Sequence, residues 1–114
     1  MTTEFTTAAL PAPLARYFAA QAERDIDALA ACFSAEARVR DEGHEHVGRA
    51  AIRAWMEAAR AKYSFTAEPL STREEGGRRL VVARVSGNFP GSPVELTYRF
   101  SLSVDGEISA LEIG

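Results

Sequence analysis

The chain has 114 residues, 46% of them hydrophobic and 25% charged, the proportions of one globular domain with its own core rather than of a fibre or a disordered tail. A formal net charge of -3, with the arginines interleaved among acids, excludes the basic stripe that a sequence-independent grip on nucleic acid requires. The single cysteine, Cys32, excludes an intrachain disulfide and sits in a helical apolar run, where a small buried thiol is expected.

Residues 1–10 lack periodicity and are expected to form a flexible N-terminus, leaving 11–114 as a single domain. Glu4 stands where a signal peptide would be basic, and Pro11 and Pro13 interrupt the uncharged stretch from Phe5 to Ala15. The expectation is therefore a cytoplasmic protein with no membrane partner. The two prolines mark the entry to a first helix, in which Leu14, Tyr17, Phe18 and Gln21 share a face. Asp25 caps a second, short helix with a stripe of Ile26, Leu29, Ala30 and Phe33, and Ser34-Ala35-Glu36 is read as the break that follows it.

The next segment, Ala37-Arg38-Val39-Arg40-Asp41, alternates as a strand. Ala37, Val39 and Asp41 share one face; Arg38 and Arg40 take the other. A carboxylate on the apolar face is either a structural anchor or a poised acid/base, because burying it unpaired costs several kcal/mol. Gly43 turns the chain, and His44 and His46 lie in a turn-rich segment. A zinc centre needs a third ligand that no residue supplies, so no metal is expected, and either histidine is read as solvated or as a proton carrier beside Asp41. After Gly48, Ile52, Trp55, Met56, Ala59 and Tyr63 line one face of a long helix, with Arg53, Glu57 and Arg60 opposite.

From Ser64 the period changes to two, with strands expected near 65–73, 79–89, 93–104 and 107–113. Glu75-Gly76-Gly77 and Asp105-Gly106 are hairpin signals, and Asn88 to Pro93 makes a wider turn. Val81, Ala83, Val85, Gly87 and Phe89 take one face of the second of these strands. In the third, Val94, Leu96, Tyr98, Phe100, Leu102 and Val104 face one way and Glu95, Thr97, Arg99, Ser101 and Ser103 the other. Helices first and a strand meander afterwards predict an α+β fold. The small residues Ala83 and Gly87 leave room for a pocket opposite the helices, or else permit a sharp bend of the sheet with no cavity.

Several inward residues admit two readings. The hydroxyls of Tyr17 and Tyr98 serve either a ligand oxygen or the backbone. Phe18, Phe33, Trp55, Met56, Val85 and Phe100 either fill the core or line a pocket for a small hydrophobic molecule. Neither a phosphate-binding loop nor a dinucleotide glycine fingerprint is present, and no cofactor is expected.

Taken in order, Ala15-Arg16-Tyr17, Asp25-Ile26-Asp27-Ala28-Leu29, Phe33, Ala37 to Asp41 and Gly48-Arg49-Ala50-Ala51-Ile52 resemble the ketosteroid isomerase and SnoaL-like polyketide cyclase superfamily, which shares the fold of nuclear transport factor 2. The resemblance is best over residues 14–58. It implies a cone-shaped, curved, mostly antiparallel sheet wrapped around three N-terminal helices. It also implies that Asp41 moves a proton while Tyr17 donates a hydrogen bond to the substrate oxyanion. Ketosteroid isomerases complete that oxyanion hole with a protonated aspartate, and here the corresponding position falls nearest Tyr98. The aspartate of the family is commonly followed by proline; this chain has Glu42.

The function expected is proton transfer on a small hydrophobic carbonyl compound, as in isomerisation or aldol-type cyclisation. The alternative is a non-catalytic ligand-binding or dimerisation module, in which Asp41 accepts hydrogen bonds from the Gly43–His46 turn or pairs with an arginine. A homodimer is expected through the outer sheet face, where Glu95, Thr97, Arg99 and Ser101 are short or pairable groups.

Overall fold

The computed structural model describes residues 10–114. The flexible N-terminus expected over residues 1–10 thus lies outside the described residues except for Leu10, which is buried against the core. The helices are α1 (Ala12–Glu23), α2 (Ile26–Ala31) and α3 (Arg49–Lys62). The strands are β1 (Phe33–Asp41), β2 (His44–Val47), β3 (Phe65–Glu75), β4 (Arg78–Gly87), β5 (Val94–Leu102) and β6 (Ile108–Ile113). They form one curved, unclosed sheet in the order β2-β1-β6-β5-β4-β3, and the helices cover one face. All neighbouring strands pair antiparallel except β1 and β6. This is the α+β architecture expected.

Local chemistry accounts for the helix ends. Pro11 and Pro13 open α1 where backbone donors have no helical acceptor, and Arg24 closes it in the left-handed conformation at φ 58. The Asp25 carboxylate accepts the Ala28 N–H at 3.1 Å and so caps α2. At the far end, Tyr63 falls just outside α3, in extended conformation at φ -138. Its ring meets Phe89 edge-on at 5.9 Å instead of continuing the helical stripe.

Three expectations on element limits are corrected. Phe33, with no exposed surface, begins β1 instead of ending the stripe of α2. The Ser34-Ala35-Glu36 segment read as a break is strand, absorbed by a register irregularity between Phe33 and Arg38 against β6. His44–Val47 is a strand rather than part of a turn: Glu42 at φ 53 and Gly43 at φ 78 form a two-residue hairpin connection, and four residues pair back onto β1. Leu102 and Val104 also leave the inward face. The register shifts after Ser101, and the turn closed by the Gly106 N–H on the Ser103 carbonyl lifts Val104 into solvent.

The core lies between the helices and the inward sheet face, with Leu14, Leu29, Phe33, Val39, Ile52, Val81, Phe100, Ile108 and Leu111 fully enclosed. Ala83 is also sealed. The room expected at Gly87 is taken by the chain itself: a Cβ there would meet the Ser64 carbonyl and come within 2.8 Å of Phe65 Cα. The small residue therefore serves a close backbone approach between β3 and β4, not a cavity.

Gly87→Ala should lower stability by about 1–3 kcal/mol through overpacking against backbone that cannot move aside. Denaturant unfolding of the variant measures it; an unchanged midpoint would mean that the Ser64–Phe65 segment yields freely.

Candidate functional site

Asp41 is the last residue of β1 and continues the inward parity of Ala37 and Val39, both without exposed surface. The register shows what shares its row. Asp41 stands opposite His44 on β2 and Ile113 on β6; Ile113 stands opposite Tyr98 on β5, and Tyr98 opposite Val81 on β4. Cross-strand partners project from the same side of a sheet, so Asp41 and Tyr98 flank Ile113, two strand spacings or about 10 Å apart in the backbone. The neighbouring row carries His46, Val39, Leu111 and Phe100.

Two helices complete the site. From α1, Tyr17 enters an aromatic group with Phe18 at 5.1 Å, Phe100 at 5.4 Å, Phe33 at 6.0 Å and Tyr98 at 6.4 Å, all edge-on. From α3, the indole Nε1–H of Trp55 donates to Asp41 Oδ2 at 3.2 Å. The His46 ring stacks on that indole, with centroids 5.7 Å apart and planes inclined by 28°.

The electrostatics follow from burial. Loss of water pushes the Asp41 carboxyl above its ordinary value of 3.8, and Glu42 adds to the rise; the Trp55 hydrogen bond, the nearby His46 and the Glu42 backbone oppose it. Burial also raises Tyr17 well above the phenol range, with Tyr98 and Asp41 contributing, and raises Tyr98 for the same reason with help from Asp41. Both phenols therefore keep their protons and remain donors. Neither phenol oxygen is hydrogen-bonded to another described group. Among the described residues the one fully buried polar side-chain atom without a partner is Arg60 Nη2.

Of the three residues expected to be catalytic, Tyr17 and Tyr98 meet edge-on and both lie within electrostatic reach of Asp41, and Trp55 is in contact with Asp41. It distributes the expected binding residues differently. Phe33 and Phe100 have no exposed surface, Phe18 almost none, and Met56 and Val85 little more, so these five are packed side chains. Two surface depressions, of about 610 and 360 Å³, lie elsewhere: one beside Glu23, Asp27 and Arg53, the other beside Ala19, Ala28, Cys32 and Glu107. Access to Asp41 is instead at the sheet end, where Asp41, Trp55 and His46 are partly exposed.

His46, expected to be solvated or a proton carrier beside Asp41, instead stacks on the indole that holds that carboxylate. Reading Glu42-Gly43 as a two-residue turn would have made His44–Val47 a returning strand, with His46 opposite Val39 and on the face of Asp41. His44, opposite Asp41 itself, is exposed. Among the described residues no group of three or more His, Cys, Asp or Glu side chains converges as a metal site.

The sequence matches the SnoaL-like domain family over residues 14–110. A Sinorhizobium meliloti protein designated a candidate polyketide cyclase is similar at 46% identity and TM-score 0.92, over 96% of this chain and 100% of that one. At lower identity the fold recurs in SalBIII, an epoxide hydrolase/cyclase-like enzyme of pyran ring formation in the polyether salinomycin (21% identity, TM-score 0.78, 90% of this chain and 86% of that one). It recurs also in a Catenulispora acidiphila protein of ketosteroid isomerase-like fold in complex with trimethylamine (19%, TM-score 0.80, 91% and 85%). No curated protein matches significantly. No helix among the described residues is long and apolar enough to cross a membrane.

The raised Asp41 carboxyl has a consequence for stability. Because the folded state binds this proton more tightly than the unfolded chain, the contribution is complete below the ordinary carboxylate range and is lost as pH rises through the folded value. Asp41→Asn should remove that slope and leave the variant more stable than the parent at neutral pH. Thermal midpoints of both proteins from acidic to neutral pH measure it; parallel curves would show that Asp41 is not strained by burial.

Proposed function

The chain belongs to the SnoaL-like domain family, and from that membership we propose that it catalyses proton transfer on a small hydrophobic carbonyl compound, as an isomerase or an aldol-type cyclase. The observation that carries the reading is a partly buried carboxylate, with the Trp55 indole as its one side-chain donor among the described residues, beside two protonated phenols that meet no acceptor among those residues. The family and its structural neighbours have the cyclase and isomerase kind of fold.

In the reaction Asp41 takes a proton from the carbon next to the substrate carbonyl, and the electron pair of that C–H bond moves to the carbonyl oxygen. The enolate oxygen is held by hydrogen bonds from Tyr17 and Tyr98, which stay neutral because burial keeps their protons on. Protonated Asp41 then returns the proton to a different carbon, giving an isomer. In the cyclase variant the enolate carbon instead attacks a second carbonyl of the same molecule, and the proton passes to the new alkoxide. Burial suits Asp41 to this task by bringing its basicity closer to that of a weakly acidic C–H bond. Since Phe18, Phe33 and Phe100 fill the interior, the substrate enters at the sheet end and places only its reacting carbonyl between Asp41 and the phenols.

The filled interior supports a second reading, a non-catalytic module of the same fold. That reading anchored Asp41 to the turn or to an arginine. Here the carboxylate is held by Trp55 and by the Glu42 backbone at the start of the turn, and Arg38 on the same strand pairs with Glu45 at 3.4 Å.

The outer sheet face is proposed as a homodimer surface. Val82, Thr97, Ser101 and Ala110 make its centre, with Arg84 3.9 Å from Glu95 and Arg78 3.8 Å from Glu112 as ion pairs around it. Because Arg84 already attends Glu95, a second copy would meet mixed pairs of both signs, and Arg99, beside Glu112 in the register, becomes the side chain available across the two-fold.

Asp41→Asn should reduce turnover by about 10²- to 10⁴-fold with the fold intact, and parent activity should rise with pH through a value above the ordinary carboxylate range. The Tyr17→Phe, Tyr98→Phe double variant should lose at least about 10²-fold. Steady-state kinetics on a panel of cyclic ketones and polyketide-like diketones tests both, and full activity of a folded Asp41→Asn protein would leave the non-catalytic module. For the dimer, sedimentation at high micromolar concentration should give twice the monomer mass, and Arg99→Glu should return it to monomer; a parent protein that sediments as monomer refutes the interface.

A further inference from the structure

We infer that Trp55 and His46 are a positioning pair for Asp41, the indole fixing one carboxylate oxygen and the imidazole fixing the indole, so that charge on His46 is felt at Asp41. This rests on the assignment of Asp41 as the base, but it concerns how the carboxylate is held.

Indole has one polar hydrogen and no acceptor, so it can satisfy only one partner. On the stripe of α3 that N–H would point into apolar surroundings, yet it reaches Asp41 Oδ2 at 3.2 Å, and no other side-chain donor among the described residues bonds this carboxylate. That oxygen is thereby fixed in direction. A hydrogen bond of this kind works only if the indole plane is itself held, and the face of the indole is covered by His46 at 5.7 Å.

Backbone register places His46 there. The Glu42-Gly43 connection sets His46 against Val39 and Glu45 against Arg40. A slip of one residue would bring Glu45 to the indole and set two carboxylates side by side.

The charges around His46 leave Asp41 as its natural counter-ion. From β1 it faces Asp41, while Arg38 and Arg40 are on the opposite side of the sheet. On β2 its neighbours are exposed His44 and Glu45, the latter paired with Arg38 at 3.4 Å. The charged groups of α3 are engaged elsewhere: Arg49 on the Phe33 carbonyl and Glu107, Arg53 on Asp27 and Glu57, Arg60 on the Arg24 carbonyl, and Lys62 over the Tyr63 ring. In the turn, Glu42 adds negative charge close to Asp41. An imidazolium over an indole face is attracted by the ring's quadrupole as well as by the carboxylate. A charged His46 favours ionised Asp41.

Trp55 is the sole tryptophan, so both its fluorescence and its indole N–H resonance report on this site alone. The test is a pH titration of the parent protein by carboxyl-carbon and indole N–H magnetic resonance, with the Asp41 signal assigned by its loss in Asp41→Asn. The indole N–H is expected to move with an inflection shared with the Asp41 carboxyl. His46→Gln should displace the Asp41 midpoint upward. Trp55→Phe should displace the Asp41 midpoint upward as well. Since His46→Gln keeps the indole and alters a partly exposed side chain, it answers the question even if Trp55→Phe fails to fold.

An Asp41 midpoint unmoved by His46→Gln, or an indole N–H that ignores the Asp41 titration, overturns the pair. None of these readings needs a substrate. A working pair with fully active Asp41→Asn would defeat the catalytic assignment alone, whereas an inactive Asp41→Asn with no coupling would defeat the pair alone.

Discussion

A carboxylate partly withdrawn from water on the concave face of a sheet must be compensated, and the arrangement around Asp41 follows from how little compensation it receives. Full pairing with an arginine would have lowered its proton affinity and locked it as an anchor. Hydrogen bonds from the Trp55 indole and the Glu42 backbone do not offset burial and leave the carboxyl raised, while the phenols nearby are themselves raised by the same burial and by the negative charge of Asp41. The result is one carboxyl of raised proton affinity next to two phenols that hold their protons. Such separated proton affinities among neighbouring groups are what acid/base chemistry on a carbon acid requires.

The sheet supplies this separation through register rather than through sequence proximity. Asp41 and Tyr98 come into one row because β1 pairs in parallel with β6, which pairs antiparallel with β5. A parallel pair needs a long connection, and here nearly the whole chain from β2 to β5 lies between the two partners. The core beneath that row, Leu111, Phe100 and Val39, is sealed. A change in any of these packed residues would shift the row as a unit, so the geometry of the site depends on side chains that never meet a ligand.

Much of this was legible from residue patterns, and the exceptions have physical causes. The alternation from Val94 to Phe100 and the stripe of Ile52 and Met56 carried strong periods, and Asp41 was legible because its parity was set by Ala37 and Val39. Phe33 misled because an apolar residue just after a short helix satisfies the spacing of a stripe as well as the start of a strand. Leu102 and Val104 misled because a register shift is invisible to a period-two pattern. The edge strand β2 has four polar or half-exposed residues and no apolar face, so nothing but its turn announced it. The role of the Trp55 N–H was beyond any pattern. Periodicity shows that an indole faces inward, but which acceptor its hydrogen reaches depends on where α3 crosses the end of β1.

Glu42 shows how a departure from the common family sequence follows from backbone geometry. Proline holds φ near -65°, whereas residue 42 sits at φ 53, followed by Gly43 at φ 78. A proline there could not make this two-residue connection, and without it β2 would not return directly alongside β1. His46 would then have no reason to stand opposite Val39, and the indole of Trp55 would have an open face. Replacing the common proline thus trades a stiff exit from β1 for a tight hairpin, at the expense of placing another carboxylate beside Asp41. That carboxylate acts in the same direction as burial, raising the Asp41 proton affinity, while the histidine delivered by the hairpin acts against it. The turn therefore brings to the base both a group that makes it more basic and a group that, when charged, makes it less so.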